Sequence, residues 1–227
     1  MSKLRILLAD DHEVVRRGLR YLIEAHTGWE VCAEASDGKE AVDQTLRLQP
    51  DIVILDMSMP GWSGLEATRR IVERTPDQRI LILTMYDSES GFREVLRAGA
   101  SGVLLKSDAS ENLIRAVEAL EQHKTFFTER AARTLSSRFS ARSRSGDSAP
   151  REPLTSRELE VTRLLAEGKS SKEVAVALNI SVKTAQTHRS NIMSKLDIHC
   201  ISELVLYAAR NNIIHVSPTN HEEESRR

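Results

Sequence analysis

Along the first 124 residues, short apolar runs alternate with stretches of helical periodicity. Runs rich in Ile, Val and Leu fall at about 4–9, 30–35, 51–55, 79–84 and 102–105. Between them, about 13–26, 38–49, 64–74 and 88–98 carry apolar positions at helical spacing, and a last such stretch spans about 110–122. In that last stretch Leu113, Val117 and Leu120 share one face, with Ser110 placed as an N-cap. Five β–α units in strict alternation predict a parallel sheet with helices on both faces. Strands such as Ile52-Val53-Ile54-Leu55, apolar at every position, fit burial from both sides.

The pattern then changes. Residues 126–152, FFTERAARTLSSRFSARSRSGDSAPRE, are rich in Ser and Arg; the first part reads as a short helix reaching Phe139 and the rest as a solvated linker. Beyond it there is no β signal, and four helical segments fall at about 156–167, 171–178, 182–196 and 201–210. Gly168 stops the first, and Asn179-Ile180-Ser181 turns the chain before the third. Thr155 with Glu158 three residues on is a capping box, after which Leu159, Val161, Thr162, Leu164 and Leu165 bury one side. The sequence divides into a first domain at 1–124, a linker at 125–152, a helical domain at 153–215 and a disordered tail at 216–227.

At 227 residues and 40% hydrophobic, the chain suits two small globular domains. The apolar run Ile6–Ala9 ends in two aspartates, too early for a signal peptide, and no run approaches the length of a membrane span. The two cysteines, Cys32 and Cys200, fall in different domains and read as core thiols of a reducing compartment, which makes the cytoplasm the expected location. The net charge of -1 hides an asymmetry: 16 basic against 21 acidic residues over 1–124, and 9 against 7 over 151–215. The acidic half suits a metal site, whereas the second half is only mildly basic.

Polar groups follow four of the five apolar runs: Asp10-Asp11 after the first, Asp56 ending the third, Thr84 ending the fourth and Lys106 after the fifth. In an open parallel sheet, ligands bind beyond the carboxyl ends of the strands, and in the flavodoxin-like order 2-1-3-4-5 these four strands are neighbours. Carboxylates with a backbone carbonyl and water make an octahedral oxygen site suited to Mg²⁺. Beside it, Asp56 can accept a phosphoryl group, Lys106 can balance its charge and Thr84 can donate a hydrogen bond to it. Singly, each residue is ordinary loop solvation or a β-former; their convergence is what carries the reading.

These residues stand in ILLADDHEVVRRGL, DIVILDMSMPGWSGLEATRRI, ILILTMYD and GASGVLLKSD, and with them the first domain resembles the receiver domain of two-component response regulators. The resemblance implies that Asp56 is the phosphoacceptor and that Asp11 binds Mg²⁺ directly. Asp10 would assist through water, Ser58 would give its backbone carbonyl, and Pro60 and Gly64 would shape the following loop. It also implies a sensor histidine kinase as phosphodonor, with autophosphorylation and autodephosphorylation as the only enzymatic steps. Two positions depart from the family pattern. Val103 stands where an aromatic ring usually turns inward, and a stiff β-branched side chain cannot do that; Tyr86 is the nearest candidate substitute. Ser107 stands where many receivers have proline, so a cis bond there would cost about 2.5–4 kcal/mol.

In the second domain, SSKEVAVALNISVKTAQTHRSNIMSKL is a helix, a tight turn and a longer helix, the helix-turn-helix pattern. Ala185, His188, Ile192 and Leu196 share its apolar face; Lys183, Gln186, Thr187, Ser190 and Ser194 lie opposite. Gln, Thr and Lys on an exposed helix face can read base edges or hold phosphates in a major groove, although periodicity alone also allows a merely solvated face. For His188, packing outweighs base reading. The run ISVKTAQTHRSNIMSKL resembles the LuxR-type DNA-binding domain of the NarL/FixJ subfamily. That resemblance implies base or backbone contacts by Lys183, Thr184, Gln186, Thr187, Arg189, Ser190 and Lys195. It also implies a homodimer through Leu204, Leu206 and Tyr207 on paired half-sites of double-stranded DNA, with RNA polymerase as a further partner and no membrane. Rival readings are a Mg²⁺-dependent phosphatase or phosphotransferase, disfavoured because Ser58 and not an acid lies two residues after Asp56, and a regulator that keeps the pocket only as scaffold.

Overall fold

The computed structural model describes residues 3–86, 88–127, 153–198, 201–211 and 213–214. Beyond Phe127, the predicted helix to Phe139 and the rest of the linker lie outside them, as do Cys200 and the tail. In the first domain β1 (Leu4–Ala9), α1 (Glu13–Glu24), β2 (Trp29–Ala35), α2 (Gly38–Leu48) and β3 (Ile52–Asp56) come in order. They are followed by α3 (Gly64–Arg74), β4 (Arg79–Thr84), α4 (Glu89–Ala98), β5 (Gly102–Leu105) and α5 (Ala109–Glu121). The strands pair in parallel in the order β2-β1-β3-β4-β5, with a sixth, β6 (Phe126–Phe127), added parallel at the β5 edge.

Residues alternate between two cores, as the pleat requires. Leu7, Val53, Leu55, Ile80, Ile82 and Val103 point to the face covered by α2, α3 and α4. Their neighbours Ile6, Leu8, Ile52, Ile54, Leu81 and Leu104 point to the face covered by α1 and α5. Leu113, Val117 and Leu120 are buried there as the helical spacing predicts.

Two boundaries differ from the pattern-based reading. The chain leaves β5 through a single 3-10 turn, Lys106–Asp108, that runs straight into α5, so Ser110 lies inside the first helical turn and Asp108 occupies the cap position without a side-chain bond. The FF pair forms β6 because its backbone completes the sheet edge, a tertiary demand that overrides its apparent helical continuation.

The second domain comprises α6 (Ser156–Ala166), α7 (Ser171–Leu178), α8 (Val182–Leu196) and α9 (Ile201–Arg210). Thr155 accepts from the Glu158 amide and Glu158 bonds back to the Thr155 amide, and Ser170 with Glu173 repeats this box on α7. Asn179 stops α7 in the left-handed conformation that lets α8 turn away. Val161, Leu164, Leu165, Val174, Ala175, Ala185, Ile192, Leu196 and Leu204 form the core. Leu159 is 40% exposed and does not join them: at its place on α6 it faces out beside Glu160. Leu204 is fully buried, so the surface contact expected of it is corrected to a core role. Tyr207 packs against the same core, and the Leu206 side chain lies outside the described positions.

Candidate functional site

Asp10 leaves the end of β1, Asp56 ends β3, Thr84 ends β4 and Lys106 opens the turn after β5. Pairing registers bring them to one edge: Asp56 lies opposite Leu83, and Thr84 opposite Leu105. All but Lys106 are nearly fully buried, and Lys106 retains only 11% side-chain exposure. Its ammonium stands 2.6 Å from Asp10 Oδ2 and 3.1 Å from Asp56 Oδ1, so one cation holds two buried carboxylates. Asp10 Oδ1 accepts from the His12 amide at 2.9 Å, while Asp10 Oδ2 faces that ammonium without a hydrogen bond of good geometry.

The charges are set by this enclosure. Burial pushes the Asp56 carboxyl above its ordinary pKa, although Lys106 pulls it down; Asp10 adds to the rise and the Ser58 amide opposes it. Burial also works to lower the Lys106 ammonium, but the two carboxylates outweigh it and hold it above its usual value.

Atoms of Asp10, Asp11, His12 and Asp56 that could ligate a metal lie within 4.8 Å of one another. A predominantly oxygen donor set that includes two buried carboxylates fits a hard divalent cation such as Mg²⁺. Ser58 meets Asp56 through its amide. His12 escaped the sequence reading: its Nδ1 lies 2.8 Å from Asp11 Oδ1, and adjacency to the acidic pair was the only signal.

The turn between β3 and α3 is fixed by close approach. A Cβ on Gly64 would stand 2.2 Å from the Asp56 carbonyl oxygen, so only glycine lets α3 begin there. Thr84 Oγ1 accepts from the Tyr86 amide at 3.1 Å. The Tyr86 ring itself is 65% exposed and packs no part of the pocket, whereas Val103 is buried in the core under α4. The peptide after Lys106 is trans, as are the others among the described residues.

On α8, Lys183, Thr184, Thr187 and Ser190 are exposed, while Gln186 and His188 are half-buried. Thr187 Oγ1 donates to the Lys183 carbonyl, leaving its methyl and its acceptor lone pairs to solvent. Lys195 does not lie free on that face: its ammonium pairs with Glu158 of α6 at 3.1 Å. Arg189 turns to the first domain and pairs with Asp77, in the loop between α3 and β4. No sequence signal marks Asp77 or its second partner Ser171, which are far apart in the chain.

A doubly wound domain with an acidic pocket at its strand ends, joined to a helix-turn-helix, defines a class of two-domain DNA-binding regulators. Residues 6–118 match the family described as response regulator receiver domain, and residues 152–208 match bacterial regulatory proteins of the luxR family. The chain belongs to the response regulators with a LuxR-type DNA-binding domain. It is 41% identical over 216 residues to the oxygen regulatory protein NreC of Staphylococcus epidermidis, covering 93% of this chain and 99% of that one. Over 212 residues it is 39% identical to the transcriptional regulatory protein LiaR of Bacillus subtilis, with the same coverage. Among solved structures, a LuxR-family response regulator from Aurantimonas shares 39% identity at a TM-score of 0.57, over 61% of this chain and 99% of that one. A complex of the response regulator RcsB with DNA shares 29% at 0.55, over 92% and 98%. Among the described residues no helix is long and apolar enough to cross a membrane.

Proposed function

We propose that this response regulator is switched by a phosphoryl group on Asp56 and binds DNA as a dimer in the cytoplasm. The single observation that carries the reading is Lys106 bridging Asp10 and Asp56 at the carboxyl edge of the sheet. There the ammonium stands ready to hold a phosphoryl oxygen in place of one carboxylate. Asp10, Asp11, Asp56 and the Ser58 carbonyl would hold Mg²⁺, which neutralises charge on the transferring phosphoryl group when bound. The donor is a sensor histidine kinase, and Asp56 supplies the nucleophilic oxygen. Thr84 Oγ1, already turned toward the β4–α4 loop by the Tyr86 amide, is the hydroxyl that can reorient to the phosphoryl group.

In the second domain the exposed face of α8 is the DNA reader, with Lys183, Thr184, Gln186, Thr187, Arg189 and Ser190 as contacts. Few cations face outward, so one copy binds weakly and paired half-sites recruit two. With Leu204 in the core, the dimer contact narrows to the remaining surface of α9 around Tyr207. Phosphorylation shifts a pre-existing equilibrium between a docked chain and one whose α8 is free. Binding of the chain to DNA selected from a random duplex pool, with and without beryllofluoride and Mg²⁺, tests this. Beryllofluoride raises affinity in the wild type and not in Asp56→Ala; equal affinity in all four samples would overturn the reading.

A further inference from the structure

Asp77 lies in a short loop of the first domain, yet its carboxylate is held by two side chains of the second. Ser171 Oγ donates to Asp77 Oδ1 at 2.8 Å, and the Arg189 guanidinium pairs with the same oxygen. Ser171 is fully buried, and the Arg189 side chain keeps only 15% exposure. Ser171 is the first residue of α7, whose amino end carries the positive pole of the helix dipole, and Arg189 projects from α8. A hydroxyl at a helix start and a guanidinium from the recognition helix, both aimed at one anionic oxygen, are the donors that grip a nucleic-acid phosphate. In a helix-turn-helix the first of the two helices crosses the DNA backbone, and that helix here is α7.

We infer that Ser171 and Arg189 form a seat for a DNA backbone phosphate, and that the Asp77 carboxylate fills this seat while the domains are docked. The loop carboxylate and the DNA then compete for one pair of donors. The seat is sequence-independent, because phosphate contacts fix register and carry no base information. This deepens the proposed switch and rests on it only for what triggers release. Asp77 sets how firmly the docked state excludes DNA.

The test uses the full chain and a fluorescently labelled mixed-sequence duplex, titrated at several salt concentrations without phosphodonor. Asp77→Ala and Asp77→Asn raise affinity several-fold and steepen the slope of log K against log salt by about 0.9, one more phosphate being neutralised. Asp43→Asn, which removes an exposed acid elsewhere in the first domain, controls for net charge and leaves affinity unchanged. In the Asp77→Ala background, Arg189→Gln returns the slope to its starting value, and Ser171→Ala weakens binding several-fold without changing it. Melting followed by circular dichroism confirms that each variant folds. Unchanged affinity in both Asp77 variants, or a gain matched by Asp43→Asn, overturns the seat. If beryllofluoride activates the wild type while the Asp77 variants do nothing, only the seat fails. If the Asp77 variants bind tighter while beryllofluoride does nothing, the seat stands and the Asp56 reading fails.

Discussion

Asparagine in place of Asp56 stabilises the first domain in the absence of metal. The Asp56 carboxylate is 2% exposed and has one cation at 3.1 Å, shared with Asp10, whose nearest oxygen lies within 4.8 Å. At an effective dielectric of about 20, the pair to Lys106 contributes roughly 5 kcal/mol and the repulsion from Asp10 takes back roughly 3.5 kcal/mol. The remainder, about 1.5 kcal/mol, falls short of the several kcal/mol that burying a carboxylate costs. The amide oxygen of the Asp56→Asn side chain still accepts from the Ser58 amide and from Lys106. The substitution therefore adds on the order of 1–3 kcal/mol. Both tryptophans, Trp29 and Trp62, lie in the first domain, so their fluorescence during urea unfolding reports that domain alone. With chelator present, the midpoint rises by roughly 0.5–1.5 M at an m-value of about 2 kcal/mol/M. Mg²⁺ narrows the gap, because it binds the wild-type pocket better. Acid narrows it too. The Asp56 pKa is raised on folding, so the penalty is fully present above that raised value. It fades as pH falls through it and is gone below the ordinary aspartate range near about 4. A midpoint lowered by the substitution in chelator at pH 7, or a gap that widens in acid, would refute the balance.

Four further outcomes are expected. Thr155→Ala costs the second domain about 1 kcal/mol by removing the capping box of α6, read as an earlier loss of helical circular dichroism. Lys183→Gln lowers the DNA salt slope by about 0.9, whereas Lys195→Gln, whose ammonium serves Glu158, leaves that slope unchanged and lowers the second domain's melting temperature instead. Gly64→Ala displaces the β3–α3 turn because its new methyl would collide with the Asp56 carbonyl; the tryptophan-detected stability drops, and the beryllofluoride-dependent gain in DNA affinity shrinks. Thr84→Ala abolishes the beryllofluoride-dependent gain in DNA affinity, while Tyr86→Ala preserves it.

What the sequence makes legible is whatever depends on periodicity and strand ends. Ile52-Val53-Ile54-Leu55 declares a doubly covered strand, and once the strands are ordered, Asp10, Asp56 and Lys106 meet at the sheet edge where Thr84 also ends its strand. Contacts that depend on the far side of a fold leave no such trace. Phe126 and Phe127 are too few to show a period, and only the free edge of β5 makes them a strand. Leu204 and Leu159 look alike as apolar residues on amphipathic helices, but α9 turns one into the core and α6 turns the other to solvent. Asp77 and Ser171 are unremarkable loop and helix-start residues until the two domains bring them together.

The same geometry bears on how a signal leaves the pocket when no ring can swing inward. Val103 is buried in the core under α4, and Tyr86 is largely exposed, so neither side chain is placed to swing between surface and core. The link that does connect pocket to surface is the Tyr86 backbone amide on Thr84 Oγ1. A hydroxyl that turns to donate to a phosphoryl oxygen presents its lone pairs in a new direction, and the Tyr86 amide has to follow it or lose its acceptor. Either response shifts the segment between β4 and α4, where Met85 and Tyr86 are exposed and little packing resists movement. The switch in this chain is therefore expected to run through the main chain of that loop, so that loss of the Thr84 hydroxyl should break it and loss of the Tyr86 ring should not.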